Sequence, residues 1–310
     1  MRKKAVSPAG RRARAKAVVE AGMCSQRSAC RILQVSRSSF SYKEREPGGL
    51  EQQLRKRLLE LSIQYPRYGY RRIAAMLRRD GFRVGKRHVQ RLRKAGGLRV
   101  PPTRRKRLRR GVSTGLPAQA THRNHVWTWD FIADATVRGG ALRMLTILDE
   151  YTRECHVLWV DRSLKGADVL HWMQKAVEEH GAPEYIRSDN GSEFIAKIVQ
   201  DWLRREKIKT IYIEPGSPWQ NGYVESFHGR FRDECLNREQ LWTLTEARVV
   251  VNNYRREYNQ VRPHSKLGYL SPAQVGRGEK PFPVSKGLRP SCSGNGQKEQ
   301  KPTTSNQPRN

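Results

Sequence analysis

The apolar positions change period twice along the chain. From His125 onward they alternate. Val126-Trp127-Thr128-Trp129-Asp130-Phe131-Ile132 is rich in aromatic and β-branched residues and predicts a strand. Gly139-Gly140 predicts a turn, Leu142 to Leu148 a second strand paired with the first as a hairpin, and Cys155 to Val160 a third. Ala167 to His180 has helical spacing, Tyr185 to Ser188 reads as a short strand, Glu193 to Glu206 as a helix and Thr210 to Ile213 as a strand. After the loop Pro215-Gly216-Ser217-Pro218 come helices from about Gly222 to Leu236 and from about Leu244 to Tyr258. Antiparallel strands followed by alternating helices and short strands predict an α/β fold, a mixed sheet flanked by helices.

The front of the chain has helical periodicity instead. A first helix covers about Ala13 to Ala21 and stops at Gly22. Ser25 is placed to cap a second, with Ala29, Ile32 and Leu33 on its buried side, and Ser36 a third. Helix, short turn, then a helix opening with Arg37 and Ser38 is the pattern of a helix-turn-helix DNA reader. A second unit follows the Gly48-Gly49 break. Leu54, Leu58, Leu59 and Ile63, with Leu61 between, recur at helical spacing up to Pro66. Tyr68 to Leu77 reads as the next helix, stopped at Asp80-Gly81. Lys86 to Lys94 reads as a third, with Val89 and Leu92 inward and Arg87, Arg91 and Arg93 free to meet phosphates. The expected organisation is a helix-turn-helix-like unit over 1–48, a second basic helical unit over 49–100, a basic linker over 101–122, a mixed-sheet core over 123–279 and a disordered tail over 280–310.

Charge sharpens this division. The chain has 310 residues and a formal charge of +32. Residues 1–112 hold 33 Lys+Arg and 6 Asp+Glu, whereas residues 113–279 hold 22 of each. A front with that excess repels itself unless a polyanion neutralises it, and nucleic acid is the obvious one. Arg71 and Arg72, Arg87 and Arg91, Arg37, and the linker run Arg104, Arg105, Lys106 and Arg107 are the candidate phosphate contacts. No run approaches the roughly 20 apolar residues of a membrane span, and the basic start lacks the apolar stretch of a secretory signal. Five scattered cysteines without a Cys-x-x-Cys argue for a reducing compartment, here a cytoplasmic, nucleoid-associated protein, and against a disulfide scaffold or a structural zinc site.

Three acids stand apart by position. Asp130 lies inside the first strand, Asp189 just past a strand end, and Glu225 one turn into a helix that follows a Pro/Gly loop. A carboxylate in apolar company is costly unless a cation compensates it. Three hard oxygen ligands converging on one spot suit Mg²⁺ or Mn²⁺. Two such ions can activate a water or a 3′-hydroxyl and stabilise the leaving oxygen of a phosphodiester. Singly, each acid could equally be a cap or an ion-pair partner. Asp149, Glu150 and Glu193 are lesser candidates for the same metal shell, and Asn190-Gly191 shape the turn that presents Asp189. Trp219, Gln220 and Asn221 either grip unpaired bases from the loop before Glu225 or pack as a hinge.

Asp130, Asp189 and Glu225, with 35 residues between the last two, resemble the Asp-Asp-Glu triad of the retroviral-integrase superfamily. GYVESFHGRFRDECLN around Glu225, RSDNGSEF around Asp189, NQVRPHSKL from Asn259, and the front SPAGRRARAKAVVEAGMCSQRSACRIL are similar to the second-frame transposases of two-frame bacterial insertion sequences. The resemblance covers roughly residues 5–280. It implies a ribonuclease-H-like five-stranded sheet, Mg²⁺ or Mn²⁺ as cofactor (two ions), cleavage at the element's ends, and transfer of the freed 3′-OH into target DNA without a covalent enzyme–DNA intermediate. It implies a basic residue seven positions after the glutamate, here Arg232, placed to touch a phosphate near the metals. His228 is expected to contact DNA or the groups around the metal rather than to act as a general base. The implied partners are DNA, further copies of the chain on that DNA, and an upstream-frame product joined by frameshifting. Retroviral integrases carry an amino-terminal His-His-Cys-Cys zinc unit; nothing here has that spacing, so zinc is not expected. The competing functions are a non-catalytic DNA-binding repressor and a ribonuclease-H-type nuclease acting on RNA–DNA hybrids.

Overall fold

In the computed structural model, residues 7–42, 48–100, 119–189, 191–213 and 221–280 are described. Arg104, Arg105, Lys106, Arg107, Asn190, Trp219, Gln220 and the tail beyond 280 lie outside them. The chain divides into two compact units, Met1–Leu61 and Ser62–Asn310.

In the first unit, α1 (Pro8–Glu20), α2 (Gln26–Ile32) and α3 (Arg37–Ser41) pack on one another. Each begins at a serine whose hydroxyl accepts from a backbone N–H: Ser7 from Gly10, Ser25 from Ser28 and Ser36 from Ser39. Such caps satisfy donors that the first helical turn leaves open. The first helix starts earlier than its pattern predicts, because Ser7-Pro8 supplies both a cap and an N1 proline. Ala15, Ala29 and Cys30 fill the small core, so Ala29 faces inward as its spacing predicts, while Ile32 is 69% exposed and does not. The fourth helix, α4 (Gly49–Gln64), buries Leu54, Leu58 and Leu61 and leaves Leu59 and Ile63 exposed. Its stripe therefore runs at spacings of four and three, 54-58-61, rather than through 59 and 63.

The second unit opens with α5 (Tyr70–Arg79) and α6 (Lys86–Ala95), which pack together around Ile73, Leu77 and Val89. Arg93 is not free for phosphate: its side chain is buried and donates to the Tyr68 carbonyl at 2.5 Å. Five strands follow: β1 (Val126–Ala135), β2 (Ala141–Asp149), β3 (Cys155–Asp161), β4 (Tyr185–Ser188) and β5 (Lys209–Tyr212), in the order β3-β2-β1-β4-β5. β1, β2 and β3 are antiparallel, while β4 and β5 run parallel to β1. This is the ribonuclease-H-like mixed sheet expected from the sequence. One face packs on α7 (Gly166–His180) and α8 (Lys197–Arg205) through Trp127, Trp129, Leu145, Met173 and Trp202. The other packs on α9 (Gly222–Phe231) and α10 (Leu244–Gln260) through Ile132, Met144, Phe227, Phe231 and Tyr254.

The NQVRPHSKL stretch acts as a clasp. The Asn259 side chain exchanges two 2.9 Å hydrogen bonds with the Cys155 backbone at the start of β3. Arg262 grips Glu234 through two bonds of 2.6 and 2.7 Å, and Arg72 of α5 reaches the same carboxylate at 2.9 Å. Arg67 pairs with Asp233. The segment after α9 is thereby tied both to the sheet and to the α5–α6 pair.

Candidate active site

Strand periodicity decides which side of the sheet carries chemistry. Trp127 and Trp129 face α7, as the alternation predicts for core residues, so Thr128, Asp130 and Ile132 face α9. Asp130 sits opposite Thr146 of β2, and its Oδ1 accepts from the Phe131 N–H at 2.7 Å. Asp189 follows the last residue of β4, the strand beside β1. The Gly191 N–H donates to Asp189 Oδ1 at 3.1 Å, and a Cβ at Gly191 would come within 3.1 Å of that oxygen, so glycine makes room for the turn. The loop beyond is held in place: Phe194 stacks on Phe131 and Trp129, and Glu193 takes a 2.5 Å bond from Arg143, whose guanidinium lies over Phe131. Glu225 stands exposed in the first turn of α9, where the helix N-terminus favours an acid.

The three acids share one electrostatic environment. Burial pushes the Asp130 carboxyl up to about 6, and the nearby charges of Asp189 and Glu225 push in the same direction, against the Phe131 hydrogen bond. His228 comes closest to compensating it, with Nδ1 3.8 Å from Asp130 Oδ2. Burial and the neighbouring Arg232 push that imidazole down to about 4, so at neutral pH it is uncharged and the contact is not an ion pair. Its Nε2 meets Thr146 Oγ1 at 3.1 Å. Among the described residues no lysine or arginine lies within ion-pair distance of Asp130. The trio is looser than a closed metal cage: among the described residues, the group of three whose ligating atoms all lie within 4.8 Å of one another is Glu154, His156 and His180.

Several sequence expectations change here. α9 does not run unbroken to Leu236; it gives way after Phe231 to a π-helical turn, Arg232–Leu236. That turn lets Glu234 and Cys235 point inward while Arg232 stays exposed, its Nη2 bonded to the Ala133 carbonyl of β1 at 2.9 Å. Phe231 belongs to the core rather than to the face of Glu225 and His228. Asn221 is not an open loop contact: it is buried, and its Oδ1 accepts from Thr128 Oγ1 at 2.7 Å. The lesser acids have structural partners. Asp149 accepts from the backbone N–H groups of Asn124, Tyr151 and Thr152, and Glu150 forms a fully buried pair with Arg187 at 2.7 Å. Of the candidate phosphate contacts, Arg37, Arg71, Arg87 and Arg91 are exposed, whereas Arg72 is drawn inward by Glu234. Sequence reading missed Glu234 and Arg262; the only trace of them is that both fall inside the family-like stretches.

The chain matches known proteins over its sheet and over the helices before it. Residues 120–218 and 206–272 match two models each described as "Integrase core domain", and residues 50–107 match an "HTH-like domain". The chain is 37% identical over 274 residues to an insertion element IS476 protein of Xanthomonas euvesicatoria, covering 88% of this chain and 79% of that one. It is 37% identical over 255 residues to an insertion element IS407 protein of Burkholderia multivorans, covering 81% and 90%. It is 26% identical over 262 residues to the putative transposase InsK for IS150 of Escherichia coli, covering 79% and 90%. Among solved structures it is similar to the HTLV-2 integrase catalytic core domain in complex with magnesium, at 17% identity and a TM-score of 0.41, covering 49% of this chain and 95% of that one. The chain thus belongs to the insertion-element transposase family, with an integrase core domain.

Proposed function

We propose that the chain is the DNA transposase of an insertion element, cutting at the element's ends and transferring the freed 3′-OH into target DNA, with Asp130, Asp189 and Glu225 as its catalytic carboxylates. One observation carries this reading. Asp189 from a strand end and Glu225 from a helix act on Asp130 in its strand, and among the described residues no lysine or arginine pairs with Asp130. A structural acid is paired, as Glu150 and Glu234 are; this one is not. The donor set is entirely hard oxygen and negatively charged, which fits Mg²⁺ or Mn²⁺. When bound, two such ions would activate the attacking hydroxyl and stabilise the leaving oxygen.

The chain's own residues have separable parts in this. Asp130, Asp189 and Glu225 would hold the ions. The neutral His228 buttresses Asp130 against Thr146 without competing as a cation. Arg232, fixed by the Ala133 carbonyl, offers its remaining N–H groups to a phosphate. Arg71, Arg87 and Arg91, with Arg37 of the first unit and the 104–107 run, supply backbone contacts to duplex DNA. Copies of the chain acting together on that DNA belong to the same reading. The upstream-frame product is an expectation that neither the fold nor the relatives support.

The test is a Mg²⁺-dependent nicking assay on a labelled duplex carrying one end of the element. Wild type nicks at the boundary. Asp130→Ala, Asp189→Ala and Glu225→Ala each abolish nicking while DNA affinity stays within a few-fold. Full activity in any of the three discards the assignment of that residue. Wild-type binding without nicking would make the chain a repressor, and preferential cleavage of RNA–DNA hybrid would make it a nuclease.

A further inference from the structure

On the α7 side of the sheet, away from the acidic trio, a second cluster of metal-ligating groups has no role in the chemistry above. The β2–β3 pairing shifts register there: Ile147 pairs with Val157 and Leu148 with Cys155, so His156 is the extra, bulged residue. Bulges re-aim a side chain. Here the imidazole of His156 packs against Trp127 at 4.5 Å between ring centroids and stacks on His180, the last residue of α7, at 4.0 Å. Glu154, just before β3, closes the group, and one ligand atom from each of the three lies within 4.8 Å of the others.

The hydrogen bonding of this cluster is incomplete. His156 is 3% exposed, yet neither ring nitrogen has a hydrogen-bond partner, and His180 Nε2 has none either. Its nearest acid is the Glu179 carboxylate at 3.8 Å. Buried polar atoms without partners are rare and costly in native folds. Burial holds both imidazoles below their ordinary range, helped at His156 by the neighbouring His180 and at both by Arg123 and Arg255. Arg255 also donates to the His156 carbonyl at 2.8 Å. The two arginines oppose a cation here, and Glu179 and Asp149, acting on His180, favour one.

We infer that Glu154, His156 and His180 form a second metal site, which takes one zinc-class transition-metal ion and ties the start of β3 to the end of α7. Two imidazoles and one carboxylate are a known zinc donor set, and imidazole selects Zn²⁺, Co²⁺, Ni²⁺ or Cu²⁺ over Mg²⁺. Tetrahedral bonds of about 2.1 Å set ligand atoms about 3.4 Å apart; to close a spread of up to 4.8 Å the two stacked imidazoles turn out of their stack so that both lone pairs meet one ion. The sequence predicts no structural zinc site because its cysteines lack the spacing; this site uses no cysteine, so it departs from that expectation without contradicting its reason. It does not depend on the proposed transposase chemistry.

The experiment uses the full chain, stripped with chelator and held in excess Mg²⁺ so that the acidic trio does not report. Co²⁺ is titrated while its visible d–d absorption is followed, and Zn²⁺ is then added to displace it. The expected result is one equivalent of Co²⁺ with a nitrogen–oxygen spectrum, displaced by Zn²⁺ and unaltered in Asp130→Asn. His180→Asn and Glu154→Gln, both at half-buried positions, and the more buried His156→Leu should each weaken binding at least tenfold. Circular dichroism confirms their folding, and if His156→Leu does not fold the other two decide. Absence of a d–d band overturns the inference. So does a band unchanged in His180→Asn and Glu154→Gln, or a thiolate charge-transfer band pointing to Cys155.

Discussion

Replacing Asp130 with asparagine should stabilise the protein while destroying its activity. The folded-state carboxyl is pushed from 3.8 up to about 6, chiefly by burial and then by Asp189 and Glu225. Between those two values the folded state binds more protons than the unfolded chain, so stability falls as pH rises through that window. A shift of roughly 2 units corresponds to about 3 kcal/mol at most, and the 23% exposure of the side chain reduces this to about 1–3 kcal/mol. Asparagine keeps an oxygen for the Phe131 N–H, carries no charge, and has nearly the same volume. Urea unfolding without divalent ions at pH 5 and pH 8 measures the effect. Wild type should lose stability over that range, the variant should lose less, and at pH 8 the variant should be the more stable protein. Adding Mg²⁺ should reverse the order, because the ion binds the folded wild type. A variant less stable than wild type at pH 8 without metal would show that some protein cation compensates Asp130, and the reasoning would fail.

Glu234→Ala leaves Arg262 buried without its carboxylate. It should cost about 3–5 kcal/mol and lower the Tm on the order of 10 °C in a thermal scan; a loss under about 1 kcal/mol would mean that the pair is not holding the segment after α9. Asn259→Ala strands the N–H and C=O of Cys155, which should cost about 2–4 kcal/mol in denaturant unfolding. Arg87→Ala and Arg91→Ala should weaken duplex binding and reduce the log–log salt slope by about 0.9 each. Arg93→Ala should instead destabilise the protein with the slope unchanged, since that guanidinium is bound to Tyr68; binding titrations at several salt concentrations separate the two effects.

The sheet was legible because its strands carry strong local signals. β1 alternates aromatic and small polar positions, and that period alone places Asp130 on the side away from Trp127 and Trp129. The short β4 and the acid at its end were legible for the same reason. Burial of charge was not. Arg93 sits in a basic helix at a position indistinguishable from Arg91, and only the approach of the Tyr68 carbonyl turns it inward. Asn221 is polar and adjacent to a Pro/Gly loop, so it reads as exposed until Thr128 arrives from a strand 93 residues away. The π turn after Phe231 is invisible to a 3.6-residue period, because inserting one residue rotates Glu234 inward toward arginines that the sequence places elsewhere. The exposed faces of α2 and α4 misled for a simpler reason: both helices have more apolar positions than their packing covers.

The central claim is that Asp130, Asp189 and Glu225 grip divalent ions together. Crystals of the full chain soaked in Mn²⁺ and measured at the manganese edge test it without relying on turnover. An anomalous peak within about 2.0–2.6 Å of carboxylate oxygens from Asp130 and Asp189, with Glu225 bounding the same pocket, is the expected result. Full Mn²⁺ occupancy elsewhere in the chain with nothing at these three carboxylates would contradict it.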